Sequence, residues 1–307
     1  MTDVAVALPG VDEAPRCAEF ARSNEVDPGG TALAPNVVVL VEVAEPWPKP
    51  VGKHPALIEL VAAAASAPEQ IRLLAAIPHD PETPRVIALR PTPMAMTRSE
   101  RALGADPVAD LTVVLGGDNA RDVRAEERTV LVCTQGSHDI CCGTDGAAFA
   151  DALEDARPDI ELFRVSHTGG HRFSPTAMTL PDGRMWAYLD VDLASSIVDR
   201  TLAPDSAASH CRGWWGTPTG PTQIAERAAL AQLGWNVDTS HRVATAQQVD
   251  DGSHVVSVLL TATDGSQIRG EVHVETGRDV PTIACEQPGG EPIKPGREWR
   301  IRSVAFD

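Results

Sequence analysis

Two short windows concentrate the residue types that bind metals. CTQGSHDICCG (133–143) holds Cys133, Cys141 and Cys142, and SHTGGHRF (166–173) holds His167 and His171. Thiolates and imidazoles ligate both zinc and iron–sulfur clusters, and residue identity alone does not separate the two. Eight residues lie between Cys133 and Cys142. That loop is wide enough to wrap a large group, unlike the two-residue knuckle that pinches a single ion. The histidines have the spacing of a zinc-peptidase helix, but no glutamate follows His167, and Gly169-Gly170 stands where a helix needs good formers. The double glycine predicts instead a tight turn passing close to a metal group, with backbone amides free to bond sulfur.

Each window follows a stretch that reads as a parallel strand, and the loops beyond the C-terminal ends of such strands are where open α/β sheets assemble sites. The expected order is strand 129–133, the Cys loop, helix 146–156, strand 160–165, the Gly-rich loop, strand 176–180, a Pro-Asp-Gly turn, strand 185–190 and helix 193–202. That is the order of a thioredoxin-like core. Before it, residues 37–43 (VVVLVEV), 71–77, 85–90 and 111–115 read as strands and 55–66 as a helix, a related α/β unit compatible with an old duplication. The charged, aperiodic segment 118–128 reads as a linker. After a loop containing Cys211, Trp214 and Trp215 come a helix at 222–233 and alternating strands at 254–261 and 268–274. The predicted organisation is therefore an α/β chain with an N-terminal unit (1–120), the thioredoxin-like domain (129–205) and a small α+β region (221–307).

The 307 residues carry 43 acidic and 26 basic side chains, a formal charge of -17. This balance repels phosphate backbones and anionic membranes, so neither nucleic acid nor membrane is an expected partner. No apolar run approaches the roughly 20 residues of a spanning helix, and the N-terminus lacks the pattern of a signal peptide. The expectation is a cytoplasmic protein with reduced thiols. Six cysteines are too sparse for a disulfide scaffold. Phosphate-loop and dinucleotide fingerprints are missing, and no carboxylate pair suggests glycosidase chemistry.

The CCG loop, the HTGGHRF segment, Gly30-Thr31-Ala32 followed by VVVLVEVAEPWPK, and Arg212-Gly213 with QIAE (223–226) together resemble the sucrase/ferredoxin-like family. The resemblance implies a thioredoxin-like ferredoxin that holds a 2Fe-2S cluster with two cysteines and two histidines. Its ligands here would be Cys133, Cys142, His167 and His171, with Cys141 the alternative to Cys142. Gly169, Gly170 and Arg172 would surround them. Electron transfer with an unknown redox partner protein follows, rather than a self-contained reaction, and sucrase activity is not expected. Neutral imidazoles in place of two thiolates raise the reduction potential, as in Rieske centres, and their second ring nitrogen makes that potential fall as pH rises.

Two other readings fit the same fold: a structural zinc protein built on the same four ligands, and a thiol oxidoreductase. The adjacent Cys141-Cys142 pair lacks the spacing of a thioredoxin active site. Cys17 and Cys285, the latter expected in a late strand, read as packed thiols, and Cys211 as structural. Asp139 reads as a loop cap and His138 as solvent-exposed, although either could tune the site. Arg172 reads equally as a fold-stabilising residue or one that docks a partner.

Overall fold

In the computed structural model, residues 5–307 are described apart from 93, 95, 118, 124–126 and 251. A short helix α1 (Cys17–Ser23) precedes the first unit, which comprises β1 (Val37–Glu42), α2 (Ile58–Ala65), β2 (Ile71–Ala76), β3 (Arg85–Pro91), β4 (Met96–Ala102) and α3 (Pro107–Gly116). A two-residue strand β5 (Arg121–Asp122) leads to the second unit. This contains β6 (Thr129–Cys133), α4 (Ala147–Ala156), β7 (Glu161–Val165), β8 (Ala177–Leu180), β9 (Arg184–Trp186) and α5 (Val191–Val198).

Strands β1 and β2 are parallel, as are β6 and β7, while β3 and β8 run antiparallel to β1 and β6. The two halves meet where Ala76 at the end of β2 pairs with Val165 at the end of β7. One mixed sheet of ten strands results, ordered β10-β9-β8-β6-β7-β2-β1-β3-β4-β5, with β10 (Cys211–Trp214) at one edge. Each half repeats the same local order of second strand, first strand, third and fourth, as expected of a duplicated unit. The sheet curls: Arg98 on β4 bridges to Glu161 on β7 at 2.5 Å, and Met96 packs in one core with Met178, Leu180 and Met185. Because β1 is buried on both faces, it is apolar from Val37 to Val41 rather than alternating, and its buried Glu42 pairs with Arg85.

Three expectations are corrected. Residues 111–115 are helical: Asp106 accepts from the Ala109 amide at 2.9 Å, Pro107 occupies the first turn and Gly117 ends the helix in the left-handed region. Capping thus overrides the β-branched run. The strand that belongs there in the topology is β4, whose MTRSERA sequence hides it because its buried Arg98 is neutralised by Glu161 and Glu100. The expected loop after Pro204 forms helix α6 (Pro204–His210) and edge strand β10. Of the expected linker, residues 121–122 are a sheet strand, while 118 and 124–126 lie outside the described residues.

The remainder comprises α7 (Gly220–Leu233), an antiparallel meander of β11 (His241–Asp250), β12 (Ser253–Thr261), β13 (Gln267–Asp279) and β16 (Arg297–Phe306), and the small pair β14 (Thr282–Ile283) and β15 (Pro292–Lys294). Helix α7 buries Ile224, Ala225 and Ala228 against the meander and Leu230 against the second unit. A buried ion network seals this junction. Arg184 on β9 contacts Glu226 at 2.7 Å and Asp238 at 2.6 Å, and Arg242 meets the same two carboxylates at 3.0 and 3.1 Å. Among the described residues, no helix is long and apolar enough to cross a membrane.

Candidate metal centre

Strand β6 ends at Cys133, and the chain then loops out and returns through a single wide helical turn, Cys142–Gly146, into α4. The loop crosses itself at two glycines: a Cβ on Gly143 would lie 2.4 Å from the Gly136 Cα, so any side chain there would force the crossing apart. This crossing carries Cys142 back until its sulfur is 3.2 Å from that of Cys133. The first unit holds the loop from outside. Ser137 donates to the Trp47 carbonyl at 2.5 Å, Gln135 to the Pro48 carbonyl at 2.8 Å, and the Lys49 ammonium to the His138 carbonyl at 2.7 Å. The AEPWPK segment is therefore a cradle for the cysteine loop.

The histidine loop starts beyond β7, where Ser166 exchanges bonds with Ala75 of β2. Gln135 accepts from the His167 amide at 3.0 Å, and Arg72 donates to the His167 carbonyl at 2.6 Å. Arg212, buried beneath the double glycine, donates to the Gly169 carbonyl at 3.0 Å and to the Thr31 carbonyl at 2.6 Å. Gln223 makes paired bonds to Ala32. The dispersed motifs GTA, RG and QIAE thus converge as supports of one loop. What passes close to Gly170 is the Arg212 guanidinium, whose Cζ would be 2.6 Å from an added Cβ.

Cys133, Cys142 and His167 come together, with ligand atoms within 4.8 Å of one another. His167 Nδ1 is 3.8 Å from the Cys133 sulfur and 4.0 Å from that of Cys142. His171 is the neighbour of this trio, its ring centroid 5.7 Å from that of His167. Its Nδ1 faces Asp139 at 3.0 Å and the Cys17 sulfur at 3.1 Å. The His138 ring stacks on His167 at 3.5 Å and 11°. It is half-buried rather than solvent-exposed, and burial, helped by the charges of His167 and Lys49, pushes its pKa down to about 3. Asp139 caps the loop by accepting from the Cys141 amide at 2.9 Å. Burial raises its pKa, but hydrogen bonding and attraction from His171 outweigh this and hold it below the usual carboxylate range. The Cys133 thiol is pulled down, chiefly by a hydrogen bond from Cys142 and further by His167.

A second group stands beside the first. Cys17, Cys141, Cys285 and Asp139 also bring their ligand atoms within 4.8 Å of one another. Cys141 points away from Cys142's group, and Cys285 lies in a turn after β14, not in a strand. Cys17 and Cys285 pack in one apolar cluster with Phe20 and Ile283, as expected, but their convergence with Cys141 and Asp139 was not foreseen. Cys141 is 124 residues from Cys17 and 144 from Cys285, so no spacing pattern announced it. Cys211 is buried beside Arg184. Arg172 donates to Thr282 Oγ1 at 2.9 Å and lies over Phe173, anchoring the β14 segment. Trp214 and Trp215 are buried clamps, one under Arg242 and the other donating to the Pro35 carbonyl at 2.5 Å.

No curated protein and no solved structure matches the chain. The model of the sucrase/ferredoxin-like family matches residues 28–213, which span the GTA turn, the AEPWPK cradle, both ligand loops and Arg212-Gly213, and the chain belongs to that family.

Proposed function

We propose that this protein is an electron carrier with a 2Fe-2S cluster held by Cys133, Cys142, His167 and His171 on a thioredoxin-like domain. The observation that carries the reading is the convergence of two buried thiols and the His167 ring at the edge where β6 and β7 end, with His171 adjoining. The donor chemistry fits, since two soft sulfurs and two imidazoles suit an iron–sulfur centre of the mixed type. The strand order of the second half, with β7, β6, β8 and β9 side by side, supports the thioredoxin-like assignment. When bound, the cluster supplies a one-electron couple.

The surrounding residues orient and shield. Asp139 accepting from His171 Nδ1 puts the proton on that nitrogen and leaves Nε2 as the ring's lone-pair donor, the arrangement that orients metal-bound histidines. His138 covers one face of His167 and keeps water from it. Arg72 and Arg212 hold the His167 and Gly169 carbonyls and place a half-buried and a buried cation near the thiols. Burial lowers the Arg212 pKa to about 10, while the Cys133 and Cys142 thiols favour its charged form.

The test is electron paramagnetic resonance of dithionite-reduced protein for wild type, His167→Cys and His171→Cys. A reduced 2Fe-2S signal that shifts in both variants is expected, together with a red-brown colour in the native protein. A colourless protein with no signal after anaerobic purification refutes the reading.

A further inference from the structure

We infer that Cys17, Cys141, Cys285 and Asp139 form a second, separate metal site, a closed tetrahedral site for Zn2+. The geometry is already that of a coordination shell. Zinc–sulfur bonds of about 2.3 Å at tetrahedral angles set neighbouring sulfurs about 3.8 Å apart, and a sulfur and a carboxylate oxygen about 3.5 Å apart. Here Cys141 Sγ lies 3.7 Å from Cys17 Sγ and 3.6 Å from Cys285 Sγ. Asp139 Oδ1 lies 3.6 Å from Cys17 Sγ and 3.5 Å from Cys285 Sγ. Four edges between three thiols and a carboxylate thus match those of a tetrahedral zinc site, and all their ligand atoms lie within 4.8 Å of one another.

The donor set selects zinc over harder cations, because three thiolates disfavour magnesium and calcium. Four protein ligands leave no open position, which is the pattern of a structural rather than a catalytic site. The Cys17 amide donates to Cys285 Sγ at 3.2 Å, the backbone support typical of thiolate ligands. Flanking contacts hold the same segments in register. Arg16 bridges Asp145 at 3.1 Å and Glu286 at 3.4 Å, and Ser174 donates to the Cys141 carbonyl at 2.9 Å.

The zinc would add a staple to three segments that these contacts already bring together: the N-terminal helix, the cysteine loop and the turn after β14. Binding releases the thiol protons to solvent and involves no redox step. The other oxygen of Asp139 stays on His171 Nδ1, so occupancy fixes the group that orients this histidine. The site's geometry does not involve the Cys133 centre, and the expected metal counts rest on the proposed reading that this centre holds iron.

The test is elemental analysis of the full chain, purified anaerobically from zinc-supplemented cells, for wild type, Cys285→Ser and Cys142→Ser. About one zinc per chain is expected in wild type and Cys142→Ser, falling at least roughly tenfold in Cys285→Ser, which keeps its iron. Zinc that survives Cys285→Ser and vanishes with Cys142→Ser overturns the inference. So does wild-type protein that takes up neither zinc nor cobalt with thiolate charge-transfer bands, or that carries a disulfide among the three cysteines. Should Cys285→Ser fail to fold, alkylation of wild type decides. Cys17, Cys141 and Cys285 should be protected until a chelator is added, and equal labelling with and without chelator refutes the site.

Discussion

Replacing Gly170 by alanine separates two reasons for the double glycine between the histidines. Gly169 and Gly170 have φ of +82° and +75°, so alanine at either costs about 1–2 kcal/mol for the left-handed conformation. Their surroundings differ. A Cβ on Gly169 would meet Leu33 at 3.5 Å and Arg212 Nη2 at 3.8 Å, ordinary contacts. A Cβ on Gly170 would lie 2.6 Å from Arg212 Cζ and 2.7 and 2.9 Å from its terminal nitrogens. That guanidinium is buried and bonded to Thr31 and Gly169, so it cannot swing away, and overpacking adds about 1–3 kcal/mol. At about 2 °C per kcal/mol in a chain of this size, Gly169→Ala should lower the melting temperature by about 2–4 °C and Gly170→Ala by about 4–10 °C. Thermal denaturation followed by circular dichroism measures both. Equal losses in the two variants would show that Arg212 does not exclude a side chain from Gly170, and the reasoning would fail.

Other perturbations probe the supports. Arg184→Met leaves Glu226 and Asp238 short of their buried counter-charge, so a loss of about 3–5 kcal/mol is expected in urea denaturation; a change under about 1 kcal/mol contradicts the network's role. Burial raises the Glu161 pKa, but its bond and attraction to Arg98 outweigh this and leave it depressed in the folded state. Its stabilisation is therefore fully present above the unfolded value of about 4.3 and is lost as pH falls through the folded value. Glu161→Gln should flatten that acid limb of the stability profile, and an unchanged slope argues against the linkage. On the proposed function, His138→Ala uncovers His167 and should speed iron release to a chelator on the order of tenfold, whereas an unaltered release rate means the stacked ring shields nothing.

Much of the sheet was legible because buried parallel strands carry unbroken apolar runs, as in residues 37–41 and 130–133. The strand β4 was not, because its buried positions include Arg98, whose neutralising partner Glu161 lies on a strand beyond β3, β1 and β2 in the sheet. The helix at 107–116 was misread because β-branched residues outvoted the Asp-Pro start and the glycine stop, although those signals stood in the sequence.

The sequence by itself determined which loops could bind metal, since Cys133, Cys142, His167 and His171 sit in two windows each following a strand of one parallel pair. Only the tertiary structure decided how the remaining thiols divide. Adjacent residues along a loop point to different sides, so Cys142 turns to Cys133 while Cys141 turns to Cys17 and Cys285. Helix α1 and the turn after β14 are distant along the chain, and their meeting depends on packing that no local pattern encodes. The same packing set Asp139 between the second group and the first group's neighbour, with His171 on one side and the three thiols on the other.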